Sequence, residues 1–195
     1  MNKAEKTRRF IVERTAPIFN VKGYAGTSLA DMTEATGLTK GSIYGNFANK
    51  DEVALAAFEH NWKRVTTLLN AETAKCNSSR EKLLALVGVY GNLQSHDFPE
   101  GGCPLLNTAA EADDTHPELR KKAADAFHGW MTSIATVIKA GIAAGEFRAS
   151  ADAKQTALTL IAMIEGAIMI SQLTGDASHR TAVMAALGRT IHGLT

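Results

Sequence analysis

The sequence predicts an all-α fold: a three-helix N-terminal domain containing a helix-turn-helix, then a larger helical C-terminal domain, with about nine helices in all. Three observations predict it. Only four prolines, at 17, 99, 104 and 117, interrupt 195 residues. Nearly every window repeats its apolar residues at the helical period in an alanine-rich chain, and no run alternates as a strand would. Capping residues and glycines fall between those windows, where helices should start and stop.

The first helix is expected from about residue 4 to 22. Phe10, Ile11, Ile18, Phe19 and Val21 give it an apolar stripe, broken by Arg14, and Lys22-Gly23 closes it. Pro17 lies inside the run and should bend the helix or cost it a hydrogen bond. Thr27 or Ser28 caps a short second helix through Ala35, with Asp31 placed early, where a carboxylate favours the helix N-terminus. Gly37 stops it. Thr39 caps a third short helix from Lys40 to about Asn46. Asn49 caps the fourth, and Glu52 three residues on completes a capping-box pattern. That fourth helix runs to about residue 75 and ends near Asn77-Ser78-Ser79, which caps a fifth at about 80–95. Ser95 to Gly102 reads as a loop. Later helices are expected at about 103–113, 117–145, 151–172 and 177–193, with joints at Gly145 and Gly175. No flexible linker intervenes, so the two domains should share the long fourth helix.

Composition narrows the class. Apolar residues make up 45% and charged residues 21%, which excludes intrinsic disorder and collagen-like sequence. Cys76 and Cys103 are too few for a disulfide framework, and they form no CxxC pair. His96, His116, His128, His179 and His192 do not pair at metal-ligand spacing, so no metal and no cofactor is expected. The charged N-terminus is unlike a signal peptide. The longest strongly apolar stretch, Ala157 to Ile170, contains Glu165 and is shorter than a spanning helix requires, so no membrane partner is expected. A soluble cytoplasmic protein is the default expectation. There is no Gly-rich phosphate loop, no G-x-S-x-G, no H-E-x-x-H and no paired acid–base constellation, so an enzyme is not expected.

Three capped helices with a short Gly-containing link between the second and third fit a helix-turn-helix. Leu29, Met32 and Ala35 give the second helix one apolar face, against which Leu38, Ile43 and Phe47 pack the third. This leaves Thr39, Lys40, Gly41, Ser42, Tyr44 and Asn46 outside, small or polar groups at a helix N-terminus, where a phosphate oxygen or base edge is met. The runs Gly23-Tyr24-Ala25-Gly26-Thr27-Ser28, Ala35-Thr36-Gly37-Leu38-Thr39-Lys40-Gly41-Ser42-Ile43-Tyr44 and Phe47-Ala48-Asn49-Lys50-Asp51-Glu52 follow in order. Together they resemble the DNA-binding domain of the TetR/AcrR family of bacterial regulators. The resemblance implies a helix-turn-helix DNA-binding domain over 1–50 and a ligand-binding and dimerisation domain over 51–195. The DNA-facing residues it implies are Thr27, Ser28, Thr39, Lys40, Gly41, Ser42, Tyr44, Asn46 and Lys50. Two positions depart from the family's pattern. Gly45 stands where a large aromatic or His is usual, and Asn46 where His or Tyr is common. Gly45 should weaken the recognition helix by about 1 kcal/mol relative to Ala.

The second half is the sensor if the resemblance holds. Gly101-Gly102-Cys103-Pro104 resembles the start of the sixth helix in part of the family. Cys103 there is open to two readings: a thiol sensing oxidants or electrophiles, or a small buried residue. An inducer pocket is expected to draw on Trp62, Tyr90, Cys103, Asn107, Phe127, Trp130, Met131 and Glu165, the last because a carboxylate inside an apolar run needs a partner, ligand or solvent. The last two helices carry more apolar positions than one core layer needs. Leu160, Ile164, Ile168, Val183, Met184, Leu187 and Ile191 are therefore expected at a homodimer interface, in the family's four-helix arrangement. The implied function is a ligand-responsive transcriptional repressor. As a homodimer it would bind a palindromic double-stranded DNA operator, to be released by a small-molecule inducer. The alternatives are a helix-turn-helix regulator or adaptor with no inducer, and a thiol-based sensor.

Charge agrees once it is divided. The chain as a whole carries a net charge of +1. Residues 1–50 hold eight basic residues against four acidic, a net of +4, and the remainder holds 13 against 16. A basic head on an acidic body suits a protein that meets DNA at one end only.

Overall fold

The computed structural model describes residues 2–93 and 97–195. Ser95 and His96, named above in the loop and among the histidines, lie outside the described residues. Nine helices and no strand are found among those described: α1 (Lys3–Gly26), α2 (Leu29–Thr36), α3 (Lys40–Tyr44), α4 (Lys50–Thr73), α5 (Ser79–Gly91), α6 (Pro104–Ala112), α7 (Pro117–Ala143), α8 (Ala153–Thr174) and α9 (Ala177–His192). The expected order holds throughout, with ends shifted by a few residues.

The differences are local and have causes. α1 runs through Pro17 and breaks instead at Gly23, whose φ of 73° and ψ of 177° are open essentially to glycine alone. Ser28 rather than Thr27 caps α2, in a reciprocal capping box with Asp31. α3 stops at Tyr44, two residues before the expected end, with Gly45 as its C-cap. α8 has the expected length, 22 residues, set two residues later than expected, and is long and apolar enough by composition to cross a membrane. One face of it nevertheless packs on α9 and α5.

The chain forms two compact units, residues 1–65 with 99–126, and residues 66–98 with 127–195. α4 and α7 contribute to both. The division expected at residue 50 is a different cut, made by sequence pattern, whereas the compact units follow packing. In the first unit α6 packs against α1. Side chains fasten that pairing: Asn20 donates to the carbonyls of Glu100 (2.6 Å) and Gly102 (3.0 Å), and Asn107 donates to those of Asn20 (3.0 Å) and Gly101 (2.9 Å).

In the second unit α5, α8 and α9 pack on one another. Glu146 accepts the backbone N–H groups of Ser79 and Arg80, both at 3.0 Å, at the start of α5. Those bonds hold its carboxyl below the usual range. The residues expected at a dimer interface are mostly taken up by the chain's own packing. Leu160, Ile164, Ile168, Met184, Leu187 and Ile191 are buried within the single chain, and Val183 is half-buried. One stripe of each helix is consumed by the chain's own core, leaving Leu158, Met169, Ile170 and Leu173 of α8 exposed, Leu173 at 82%.

Candidate nucleic-acid interface

The helix-turn-helix is set by short-range bonds. Asp31 accepts from the backbone and hydroxyl of Ser28 (2.7 and 2.6 Å) and from the Lys22 ammonium (2.5 Å). The Lys22 bond first, then those from Ser28, hold its carboxyl well below the usual carboxylate range. Gly37, in the left-handed region at φ 66°, closes α2 by donating to Thr33. Thr39 then accepts from the Ser42 N–H at 3.2 Å and starts α3. Met32, Ile43 and Phe47 are buried beneath the pair, while Leu29, Ala35 and Leu38 are half-buried at its margin.

Above that layer Ser28, Thr39, Lys40, Gly41 and Ser42 are exposed together around the N-termini of α2 and α3. Tyr44 and Asn46 are half-buried, and the Asn46 amide donates to the Ser42 carbonyl at 2.9 Å, bridging the end of α3. The Lys50 ammonium lies 4.3 Å over the Tyr24 ring. Thr27 is corrected: it is fully buried, and its hydroxyl donates to the Gly23 carbonyl at 2.6 Å, so its side chain does not face outward. The break in α1 creates that acceptor, and sequence spacing could not show it.

Several groups at this end escaped sequence reasoning. Glu111 of α6 accepts the N–H groups of Tyr24 (2.6 Å) and Ala25 (2.7 Å), next to the break at Gly23. Tyr24 donates its hydroxyl to Asp51, which pushes its pKa up to about 12. His116 packs its ring edgewise on Tyr24, with centroids 4.6 Å apart. Glu52 does more than the expected cap. Its backbone donates to Asn49 at 2.9 Å, while its carboxylate accepts from the Ala48 N–H at 2.7 Å and from Arg8. Apart from the capping pattern at Glu52, the sequence signal near these groups was the glycine at 23.

The expected inducer-pocket residues divide between the two units. Trp62, Cys103 and Asn107 belong to the first. The Asn107 amide nitrogen donates to carbonyls of its own unit, those of Asn20 and Gly101. Cys103 is fully buried and stands at the N-cap of α6 without a side-chain capping bond. Tyr90, Phe127, Trp130, Met131 and Glu165 belong to the second unit. There Tyr90 is buried between Trp130 and Phe98, with ring centroids 5.4 and 5.5 Å away.

Comparison with known proteins agrees with this geometry. Residues 11–57 match the sequence model described as bacterial regulatory proteins, tetR family, and residues 79–187 match the tetracyclin repressor-like C-terminal domain. A crystal structure of a TetR-family transcriptional regulator from Cytophaga hutchinsonii is 50% identical, with a TM-score of 0.94, over 100% of this chain and 97% of that one. The HTH-type transcriptional regulator TtgR of Pseudomonas putida is 26% identical over 170 residues, 85% of this chain and 80% of the relative. The fold is also that of a cysteine-substituted form of the regulator CifR, solved in complex with 26-bp double-strand operator DNA, at 20% identity and a TM-score of 0.80 over 96% of both chains. The chain belongs to the TetR family of DNA-binding bacterial transcriptional regulators.

Proposed function

We propose that the protein is a ligand-responsive transcriptional repressor that binds a palindromic operator as a homodimer and is released by a small-molecule inducer. The observation that carries this reading is the exposed cluster Ser28, Thr39, Lys40, Gly41 and Ser42, gathered at two capped helix N-termini on the basic part of the chain. Hydroxyls, one ammonium and a glycine are groups that meet phosphates and base edges closely. Tyr44, Asn46 and Lys50 flank the same surface, and residues 1–50 act as the DNA-binding part. CifR, which shares the fold, was solved in complex with double-strand operator DNA, in keeping with a DNA-binding role for this fold. A DNA-binding role of this kind belongs in the cytoplasm.

The exposed apolar residues Leu158, Met169, Ile170 and Leu173 of α8 are the surface we assign to the homodimer, in place of the buried residues the sequence suggested. Two-fold symmetry then presents two copies of α3 to repeated half-sites. The remaining residues, 51–195, take the inducer, a small and substantially apolar molecule near the aromatic residues Tyr90, Phe127 and Trp130. Ligand and operator thus act at distinct sites joined by one equilibrium.

The test starts from a random-sequence duplex library. The full-length protein is expected to enrich a palindrome and to bind it with an affinity that falls steeply as salt rises. A compound found by thermal shift is then expected to raise the melting temperature and dissociate the selected duplex. Failure to enrich any duplex, or binding indifferent to salt, refutes the DNA-binding reading. Enrichment of an asymmetric site bound by a monomer refutes the dimer.

A further inference from the structure

The recognition helix α3 is five residues long and ends on a glycine, Gly45. A helix that short has little stability of its own, and glycine adds backbone freedom at its end. Something outside the helix must fix where that end lies. We infer that Arg8 of α1 is the positioning residue that does so, acting as a strut between the end of α3 and the start of α4.

Three contacts of one guanidinium carry the inference. Its Nη1 donates to the Asn46 carbonyl at 2.5 Å, just past the C-cap of α3. Its Nη2 donates to Glu52 Oε1 at 2.5 Å, in the first turn of α4. Its Cζ lies 3.9 Å from the centroid of the Phe47 ring, which is itself buried. The second Glu52 oxygen accepts the Ala48 N–H at 2.7 Å, so the carboxylate joins the strut to the α3–α4 turn itself. The Ala48 and Arg8 bonds hold the Glu52 carboxyl below its ordinary range. A rigid planar fork with a stacking face suits this geometry, and a lysine cannot reproduce it. The cation also sits where the carbonyl end of a helix favours positive charge.

The placement has a consequence for DNA. Arg8 is one of the eight basic residues of the N-terminal fifty, yet two of its donor arms are spent on partners within the protein. It acts on the operator through Asn46, Phe47 and the direction of α3, with no phosphate contact of its own. The inference rests on the reading of α3 as the DNA-reading helix.

The experiment uses full-length Arg8→Gln, Arg8→Lys, Glu52→Gln and the Arg8→Gln/Glu52→Gln double variant. Each is measured against the wild-type-selected duplex and a scrambled duplex across a salt series, well below its own melting temperature. Each single change is expected to lower affinity for the selected duplex about tenfold, the scale of one lost charge-assisted hydrogen bond. The ratio of selected to scrambled binding should fall with it. The double variant should bind no worse than the weaker single, because both changes remove one strut. Arg8→Lys should not rescue, and Glu52→Gln should leave the salt slope unchanged.

A direct phosphate role for Arg8 makes the opposite predictions. Glu52→Gln, by removing a carboxylate and freeing the guanidinium, would strengthen binding, and Arg8→Gln would reduce the salt slope by about one. Either result overturns the strut, as do single variants that bind like wild type or losses that simply add. Should Arg8→Gln fail to fold, the sign of the Glu52→Gln effect decides alone. A wild-type chain that selects no duplex refutes the DNA-binding reading and the strut together, whereas a binding wild type with unaffected variants refutes only the strut.

Discussion

Replacing Gly23 by alanine tests how the break in α1 is held. The backbone at Gly23 has φ 73° and ψ 177°, a region that costs a residue with a side chain about 1–3 kcal/mol. An added Cβ would also stand 2.5 Å from a Glu111 carboxylate oxygen, closer than real contacts allow. The carboxylate must withdraw, which loosens its bonds from Tyr24 and Ala25. Each such bond to a charged acceptor contributes about 1–2 kcal/mol when partly exposed. Strain and loosened bonds together predict a loss of about 3 kcal/mol, a large share of the roughly 5–15 kcal/mol typical of a folded domain. The assay is urea denaturation followed by Trp62 fluorescence, in a background where Trp130 is replaced by Phe so that only the first unit reports. With a slope of about 2–3 kcal/mol per molar, the midpoint should fall by about 1–1.5 M. Glu111→Ala alone should cost about 2 kcal/mol by leaving two N–H groups without their acceptor. The Gly23→Ala/Glu111→Ala double variant should lose less than the sum, because the clash is gone. A Gly23→Ala protein within about 0.5 kcal/mol of wild type would refute the reasoning, since neither strain nor clash could then be present.

Three further outcomes are expected. Leu173→Arg on the exposed face of α8 should shift the protein toward monomer in analytical ultracentrifugation with its helicity intact, whereas Ile168→Ala, fully buried in the same helix, should cost about 2–4 kcal/mol of stability; dissociation by the buried change but not the exposed one would reverse the interface assignment. Lys40→Gln should weaken selected and scrambled duplexes alike and lower the salt slope by about one if the ammonium meets a phosphate, or relax one base position in a repeat selection if it meets a base edge; no change in either assay removes Lys40 from the interface. Because Asp51 pushes the Tyr24 pKa up to about 12, from an ordinary value near 10, the bond contributes stability that is complete below pH 10 and lost as pH rises through 12. Denaturation midpoints should therefore decline over that window, and Tyr24→Phe should remove that part of the decline.

Local rules gave the helices away. Ser28 with Asp31, Gly37, Thr39 and Asn49 act within a few residues, so capping preference and glycine position located α2, the turn and α3 directly from sequence. The outward face followed for the same reason: Met32, Ile43 and Phe47 take the inner positions of two short helices, and Thr39, Lys40 and Ser42 are what remains. Thr27 failed that logic because its environment is made by the reversed backbone at Gly23. The burial of those α8 and α9 positions escaped the sequence for a related reason. Apolar periodicity states that a face is covered but not by what, and in α8 the strongest stripe is covered by α5 and α9 of the same chain.

The sequence by itself determined an all-helical chain, the position and polarity of its helix-turn-helix, and the concentration of positive charge in its first fifty residues. These depend on period, caps and composition, which are local or additive. Only the tertiary structure decided that Arg8 reaches Asn46 and Glu52, 38 and 44 residues away, and that Glu111 reaches Tyr24 across 87. Only it decided which apolar face of α8 stays open. Such pairings arise when separate helices are brought together, and no local preference of a single residue encodes its partner.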